Sequence, residues 1–521
     1  MVEEPGLETL APGSHFHWPG DNPVETPGLI SQVFAFLNGK GVEAYIVGGF
    51  IRDTLLGRPS EDIDLAVKAD SRTLALELAE TIGFTFVPLD AERGVYRLVS
   101  GEKGSQFEID ISTIRGDINR DLSERDFTID AMALPAGLSI LQTLISDSKI
   151  AAGSIIDPFQ GQLDLQRRIL RAVSGDAFDN DPARLLRAFR LAAEMSFSID
   201  KGTEELIRRS AHLVKNVAGE RIREELLAVL RGRGTVESLK RMDSLGLMDE
   251  LFPELAPAKG VSQPGWHVYD VFVHSMVTVG ESERILQSGA GERQKDPLLS
   301  YLEWDEEAER HFREEVAPGS TRCALNKLAG LFHDVAKPQT RTLTPEGFAH
   351  FYGHTTMGAE ASRRILERLR FSNREINLVG IIVENHLRPT QMGDASGDGR
   401  PSKKAVYRFF RDTGEASLDV LYLSLADFLA SKGAEVRRED WQANVDNVHY
   451  VLKTHKEMRA VTKAPRVLNG HDLIKEFSLS PGPLLGELLG KVEEARALGR
   501  ISTRAEALVF VKGMLKDESR L

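Results

Sequence analysis

The apolar positions of the first part of the chain change period repeatedly. Residues 29–37 repeat apolar side chains at steps of three and four, which predicts a helix. Residues 44–47 (Ala-Tyr-Ile-Val) form a short β-prone run that Gly48-Gly49 stops, and a short amphipathic helix follows. Residues 62–67 (Asp-Ile-Asp-Leu-Ala-Val) read as a second apolar strand. A helix over 74–82 ends at Gly83, and short strands follow at 85–89, 95–99 and 107–111. Further on the pattern turns helical. Leu185, Ala188, Phe189, Ala192 and Ala193 make one buried stripe, with Asp181-Pro182 as the N-terminus of their helix. The class expected is α+β, an α/β head followed by helical domains.

With 521 residues the chain exceeds what one core holds, so roughly three or four domains are expected. Its 41% hydrophobic and 27% charged residues are those of a globular protein, which excludes fibrous and wholly disordered classes. Net charge is −13, so any nucleic-acid site must be a local basic patch. The single Cys323 excludes an internal disulfide and a Cys-rich zinc site, and reads as a small core residue. Residues 1–27, rich in Pro, Gly and acidic side chains, read as a poorly ordered leader. No apolar run reaches membrane-spanning length and no secretory signal opens the chain, so a cytoplasmic protein is expected. Residues 287–321 are polar and charged and read as an insertion with one helix. Residues 400–411 mix cations with Tyr407, Phe409 and Phe410. They fit either an RNA-binding face or a core helix with a solvated basic side.

The candidate chemistry begins at residues 46–67. Gly48 and Gly49 lack Cβ atoms, so their backbone N–H groups can approach a phosphate at a helix start. Arg52, one turn later, places a guanidinium near the same phosphates. Asp62 and Asp64 sit two apart on a strand and point to one side. Two carboxylates that close call for a cation, and hard oxygen ligands with substrate phosphates suit Mg²⁺. Asp110 is the natural third carboxylate if its strand lies beside the Asp62–Asp64 strand, with Glu108 as the competitor on the same face. A solvated edge strand is the alternative.

The joint pattern of strand, Gly-Gly, Arg52-Asp53, Leu55-Leu56-Gly57 and Asp62-x-Asp64 resembles the nucleotidyltransferase signature of class II tRNA nucleotidyltransferases and bacterial poly(A) polymerases. Residues 121–134 (DLSERDFTIDAMAL) resemble the family's RD motif. The resemblance implies that Arg125 contacts nucleotide phosphate and Asp126 the ribose 2′-hydroxyl. Residues 180–190 resemble its E-D-x-x-R motif. There Asp181 and Arg184, three apart on the expected helix, would read the base edge as an amino-acid template, and Arg187 and Arg190 would help hold the triphosphate. A carboxylate with a guanidinium matches the amine and ring-nitrogen edges of cytosine and adenine, while uracil and guanine reverse donor and acceptor. The sequence departs from the family at Glu124 (usually Arg), Asp130 (usually Asn) and Asn180 (usually Glu).

The second half carries His274, His333-Asp334, His354, His386 and Asp427, in the order of the HD-superfamily phosphohydrolases. Imidazoles and carboxylates spread over several helices suit a divalent metal of undetermined identity. Lys337 is a candidate phosphate contact, and His267, His350 and His449 have no place in the pattern. Residues 467–512 resemble the tail of HD-bearing tRNA nucleotidyltransferases, where the turn before residue 483 would offer N–H groups to phosphate.

The resemblance implies a head at 28–145, a helical neck at 146–240, an HD body at 241–445 and an RNA-gripping tail at 446–521. The implied reaction adds C or A from CTP or ATP to a tRNA 3′ end, with Mg²⁺ at Asp62, Asp64 and Asp110, and with phosphohydrolase chemistry at the HD site. No DNA and no membrane partner is expected. Poly(A) addition, and an HD phosphohydrolase on an inactive head, are the alternatives. Residues 90–119 carry no pattern that separates CCA, CC, A and poly(A) addition.

Overall fold

The short apolar runs of the first part pair into one sheet. Its strands are β1 (Ala44–Val47), β2 (Asp62–Val67), β3 (Thr85–Asp90), β4 (Val95–Val99), β5 (Glu108–Thr113) and β6 (Ala133–Pro135). They lie in the order β3-β4-β5-β2-β1-β6. Only β2 and β5 run parallel, in a register that sets Asp62 beside Glu108 and Asp64 beside Asp110. The alternating residues Ile63, Leu65, Ile109 and Ile111 are buried on the other face. The helix Ser71–Ile82 is capped by the Asp70 side chain, which accepts from the Thr73 N–H at 3.0 Å. It stops at Gly83, whose φ of 75° is left-handed. The helix Glu25–Gly39 buries Ile30, Val33, Phe34 and Leu37, the stripe its sequence spacing requires.

The computed structural model describes residues 25–58, 60, 62–100, 107–137, 154–263, 265, 267–392, 400–462 and 467–518. The expected leader lies outside these residues, except that Glu25–Pro27 begin the first helix. Two units, Met1–Val214 and Lys215–Leu521, divide the chain. The first holds the sheet and the helix Arg184–Met195. The second is helical, with Val271–Gln287, Arg322–Phe332, Asn373–Asn385 and Ser417–Lys432 at its centre. The helix Arg438–Thr462 runs through the expected body–tail junction at 445/446. A separate small core joins Leu473, Leu488, Val492, Ala507 and Val511 at the C-terminal end. Among the described residues no helix is long and apolar enough to cross a membrane.

One sequence expectation changes. The segment expected to carry one helix holds two, Ala290–Lys295 and Glu306–Arg313. The basic aromatic stretch is the helix Lys403–Thr413, with Val406 and Phe409 buried. Phe410 stacks on His455 with ring centroids 3.5 Å apart, and Lys404, Arg408 and Arg411 all face Glu494. Val406 and Phe409 pack inward while the basic side, half exposed, lies beside Glu494, an arrangement that suits either expectation.

Candidate active site

Strand β1 ends at Val47, directly opposite Asp64 on β2. The next residue, Gly48, has φ 74° and ψ −141°, a conformation open only to glycine. A Cβ there would lie 2.7 Å from Asp64 Oδ2 and 2.9 Å from Arg125 Nη1. The backbone turn, a carboxylate and a guanidinium are thus packed into one corner. Burial pushes the Asp64 carboxyl up to about 6, with Asp110 adding to the rise and Arg125 and Arg187 opposing it. Burial also raises Asp62, against the pull of Arg97.

Asp110 reaches the acidic face as expected, but with a partner. Arg97, opposite it on β4, donates Nε to Oδ1 at 2.8 Å and Nη2 to Oδ2 at 2.9 Å, and also pairs with Glu108. Sequence reading missed Arg97. The signal was a single arginine inside the apolar run Val95–Val99, which must face the side opposite Tyr96 and Leu98.

The turn after Ser123 is held from several sides. Asp126 is buried; Oδ1 accepts from the Phe127 N–H at 2.9 Å and Oδ2 faces Arg187 Nε at 2.9 Å. Burial alone would raise this carboxyl, but Arg187, Arg184 and Arg125 hold it below its ordinary value. Thr128 donates to Asp164 at 2.7 Å, and Asp164 in turn accepts from Arg171 at 3.0 Å. Gly161 packs so tightly on the Thr128 carbonyl that no Cβ fits. Asp130, where the family usually carries Asn, accepts from Arg52 Nη1 at 2.7 Å. Asp53 takes the other edge of Arg52, at 2.9 and 2.7 Å. The guanidinium expected to meet phosphate is therefore held by two carboxylates.

Asp181 and Arg184 do not share a helix. Asp181 is extended, with φ −150° and ψ 96°, and its Oδ1 accepts from the Ala183 N–H at 3.2 Å. The helix starts at Arg184. Pro182 sets an initial tight turn in which the Arg184 N–H bonds the Asp181 carbonyl. The Arg184 guanidinium clamps three backbone carbonyls, of Glu124 at 2.8 Å, Ala177 at 3.1 Å and Arg125 at 3.4 Å. Arg190 pairs with Glu194 at 3.1 Å.

In the second unit the six expected residues come together. His274 Nε2 lies 3.2 Å from His333 Nε2 and 2.9 Å from Asp427 Oδ1. Asp334 lies 3.1 Å from His333 Nε2, 3.6 Å from His354 Nε2 and 3.8 Å from His386 Nε2. His333, His354 and His386 each donate Nδ1–H to a backbone carbonyl, of Gly330, Phe351 and Val383, which turns their Nε2 atoms inward. His354 Nε2 and His386 Nε2 are buried with no hydrogen-bond partner. Burial, with His333 beside it, pushes His386 down to about 3, so its imidazole stays neutral. Lys337 binds Asp334 at 2.6 Å and Gln263 at 2.6 Å. His267, which the pattern left out, packs edge-on to His274 at 5.4 Å.

Comparison with known families matches residues 44–120 to the poly A polymerase head domain. Residues 196–259 match the probable RNA and SrmB-binding site of polymerase A, and 344–511 match tRNA nucleotidyltransferase domain 2. The A-adding tRNA nucleotidyltransferase of Deinococcus radiodurans is 32% identical over 90% of this chain and 95% of its own. The chain belongs to the tRNA nucleotidyltransferase family. A CC-adding relative from Thermus thermophilus is 31% identical over 90% of this chain and 93% of its own. A CCA-adding enzyme solved with ATP shares the fold at TM-score 0.59 and 21% identity, covering 94% of each chain. The Thermotoga maritima CCA-adding enzyme solved with tRNA gives TM-score 0.55 at 22% identity, covering 94% of this chain and 95% of its own.

Nucleotidyltransferases use divalent metal, and this member's acidic face fits one. Asp64 is a carboxylate that burial keeps partly protonated near pH 6, the condition a cation would reverse. Asp62 beside it is exposed, which leaves that side open to a substrate phosphate. The Asp130–Arg52 pair also bears on one departure from the family. An Asn at 130 could accept the same bond through its amide oxygen; the aspartate makes that partner a carboxylate.

Proposed function

We propose that this cytoplasmic enzyme adds C or A residues from CTP or ATP to the 3′ end of tRNA, with Mg²⁺ as the head metal. The observation that carries the reading is the convergence of Asp62, Asp64 and Asp110 on one sheet face against Gly48 and Arg125. The tRNA 3′-hydroxyl gives up its proton to solvent, its oxygen bonds to the α-phosphorus, the bond to the bridging oxygen breaks, and pyrophosphate leaves. Asp62 and Asp64, with Asp110 beside them, would hold a divalent cation, which would neutralise charge at the phosphoryl oxygens. Gly48 and Gly49 give the triphosphate backbone access, and Arg125 and Arg190 supply its positive charge. Arg52 orders the start of the helix Gly49–Leu55 through Asp53 and Asp130. Asp126, oriented by Arg187, accepts from the ribose 2′-hydroxyl through its remaining lone pairs. Asp181 and Arg184 read the base edge, with Arg184 also fixing the turn it clamps.

The test uses tRNA transcripts lacking CCA, or ending in C or CC, with labelled CTP and ATP. Incorporation should require one of these ends and vanish in the Asp62→Ala, Asp64→Ala double variant. Label retained in that variant sinks the reading. The three ends also separate CC, A and CCA addition, which relatives of 32% and 31% identity do not.

The histidine cluster supports a second activity, hydrolysis of a phosphoester such as a 2′,3′-cyclic phosphate or phosphomonoester. His274, His333, Asp334, His386 and Asp427 would hold the metal, with His354 beside Asp334. The orphaned Nε2 atoms of His354 and His386 support this most directly. Purified protein without stoichiometric divalent metal in this cluster would make the domain structural.

A further inference from the structure

The second unit also holds a cationic site built from residues outside the histidine cluster. The two helices and the hairpin of the inserted segment, Glu315–Ala317 with Ser320–Thr321, sit beside the ends of Gly219–Arg231 and Val271–Gln287. Between them is a cavity of about 690 Å³, within the range of small-ligand sites. Arg231, Arg233, Arg293 and Arg313 border it, with Glu309 as the one carboxylate, in a chain of net charge −13. The rim arginines are exposed and partly paired: Arg233 with Glu292 at 2.8 Å, Arg231 with the Gly319 carbonyl, Arg313 with Glu309.

The floor is different. Arg293 is only 7% exposed. Nη2 donates to the Ile285 carbonyl at 2.8 Å, and the guanidinium lies over the Trp304 ring, 3.8 Å from its centroid. Its Nε has no partner, and Glu309 and Glu292 act on it only through charge, with no ion pair to it among the described residues. Glu309 is committed elsewhere: Oε2 accepts from Trp304 Nε1 at 2.5 Å, and Oε1 faces Arg313 at 2.6 Å. A buried guanidinium with no carboxylate in direct contact is costly unless an anion can reach it. Its planar fork suits phosphate. Leu286, Phe312 and Cys323 give the remaining wall apolar surface beside Gln287, Ser288 and Thr321, and the cavity has room for more than a bare anion. Burial pushes the Cys323 thiol up to about 11, which makes it a wall and not a nucleophile.

We propose that this cavity binds a phosphate-bearing small molecule of nucleotide size, with Arg293 meeting the phosphate and the rim arginines drawing it in. The probes are AMP, adenosine and inorganic phosphate, titrated calorimetrically into the full chain. AMP should bind more tightly than inorganic phosphate, and adenosine should not bind. Arg293→Gln should weaken AMP about tenfold or more, the loss expected for a buried charged hydrogen bond. Arg313→Gln, on the exposed rim, should weaken it by a few-fold and mainly at low salt. Both variants should add nucleotide to tRNA as the parent does. Should Arg293→Gln fail to fold, Arg313→Gln combined with Arg233→Gln carries the decision. The proposal is overturned by flat AMP titrations, by equal affinity for AMP and either fragment, or by AMP affinity unchanged in the variants. It is also overturned if only tRNA affinity falls in Arg293→Gln, which would make a nucleic-acid backbone the occupant.

Discussion

Asp64 couples the fold to the chemistry through one proton. Its carboxyl rises from 3.8 unfolded to about 6 folded, so between these values the folded chain holds a proton that the unfolded chain has released. In metal-free protein its stabilising contribution is present below about pH 4 and is lost as pH rises through about 6. Asp64→Asn should therefore raise metal-free stability at pH 7 by about 1–3 kcal/mol while abolishing nucleotide addition. Urea unfolding in chelator at pH 7 and at pH 4.5 checks this, and the gain must shrink at the lower pH. Gly48 works through geometry. Gly48→Ala should cost about 1–3 kcal/mol from its left-handed backbone and displace Asp64 and Arg125. Nucleotide addition should fall even where the variant is fully folded by circular dichroism.

The parallel pairing of β2 with β5 is what turns two separate acidic stretches into one face. The period-two pattern put Asp110 and Glu108 on a common side, but the identity of the neighbouring strand is a long-range matter. The helix at Arg184 was legible from its apolar stripe, while its first residue was not. Pro182 and the extended Asp181 separate the acidic residue from the helical row. Arg184 consequently braces the turn that carries Arg125 and Asp126, as well as lying near Asp181. Arg184→Ala should lower stability by about 1–3 kcal/mol by unmaking its bonds to three carbonyls, an effect Asp181→Ala should not share. Both should relax discrimination against UTP and GTP, read as relative kcat/KM for the four nucleotides. Full selectivity in Asp181→Ala at unchanged stability would remove the pair as base reader.

At the scale of the molecule, two constellations lie in different units of the chain. His333 and His386 follow the last residues of their helices and His354 opens its own, so helix ends aim three imidazoles at one point. The full chain should carry a divalent metal in this cluster, and chelation should lower its unfolding temperature, since a ligand bound only by the folded state stabilises it by mass action. His386→Ala should lose that metal and any phosphoester hydrolysis while retaining nucleotide addition. The Asp62→Ala, Asp64→Ala variant should show the converse. Loss of both activities in either variant would contradict two independent sites.

What the sequence determined by itself is what short-range chemistry controls. Helix and strand periods, the Gly83 stop, the shared side of Asp62 and Asp64, and the ordered His and Asp positions all follow from neighbours in the chain. The motifs also identified the family, because several recur in a fixed order. Tertiary structure alone decided which charges meet. Arg97 was one arginine in a strand until β4 lay against Asp110, and Arg52 had no carboxylate beyond its neighbour Asp53 until Asp130 came within 2.7 Å. The cations of Lys403–Thr413 had no assigned neighbour until Glu494 came beside Arg408. Charged side chains carry no period that names a distant partner. Their partners are selected by burial and by pairing of residues far apart in sequence, which only the packed chain supplies.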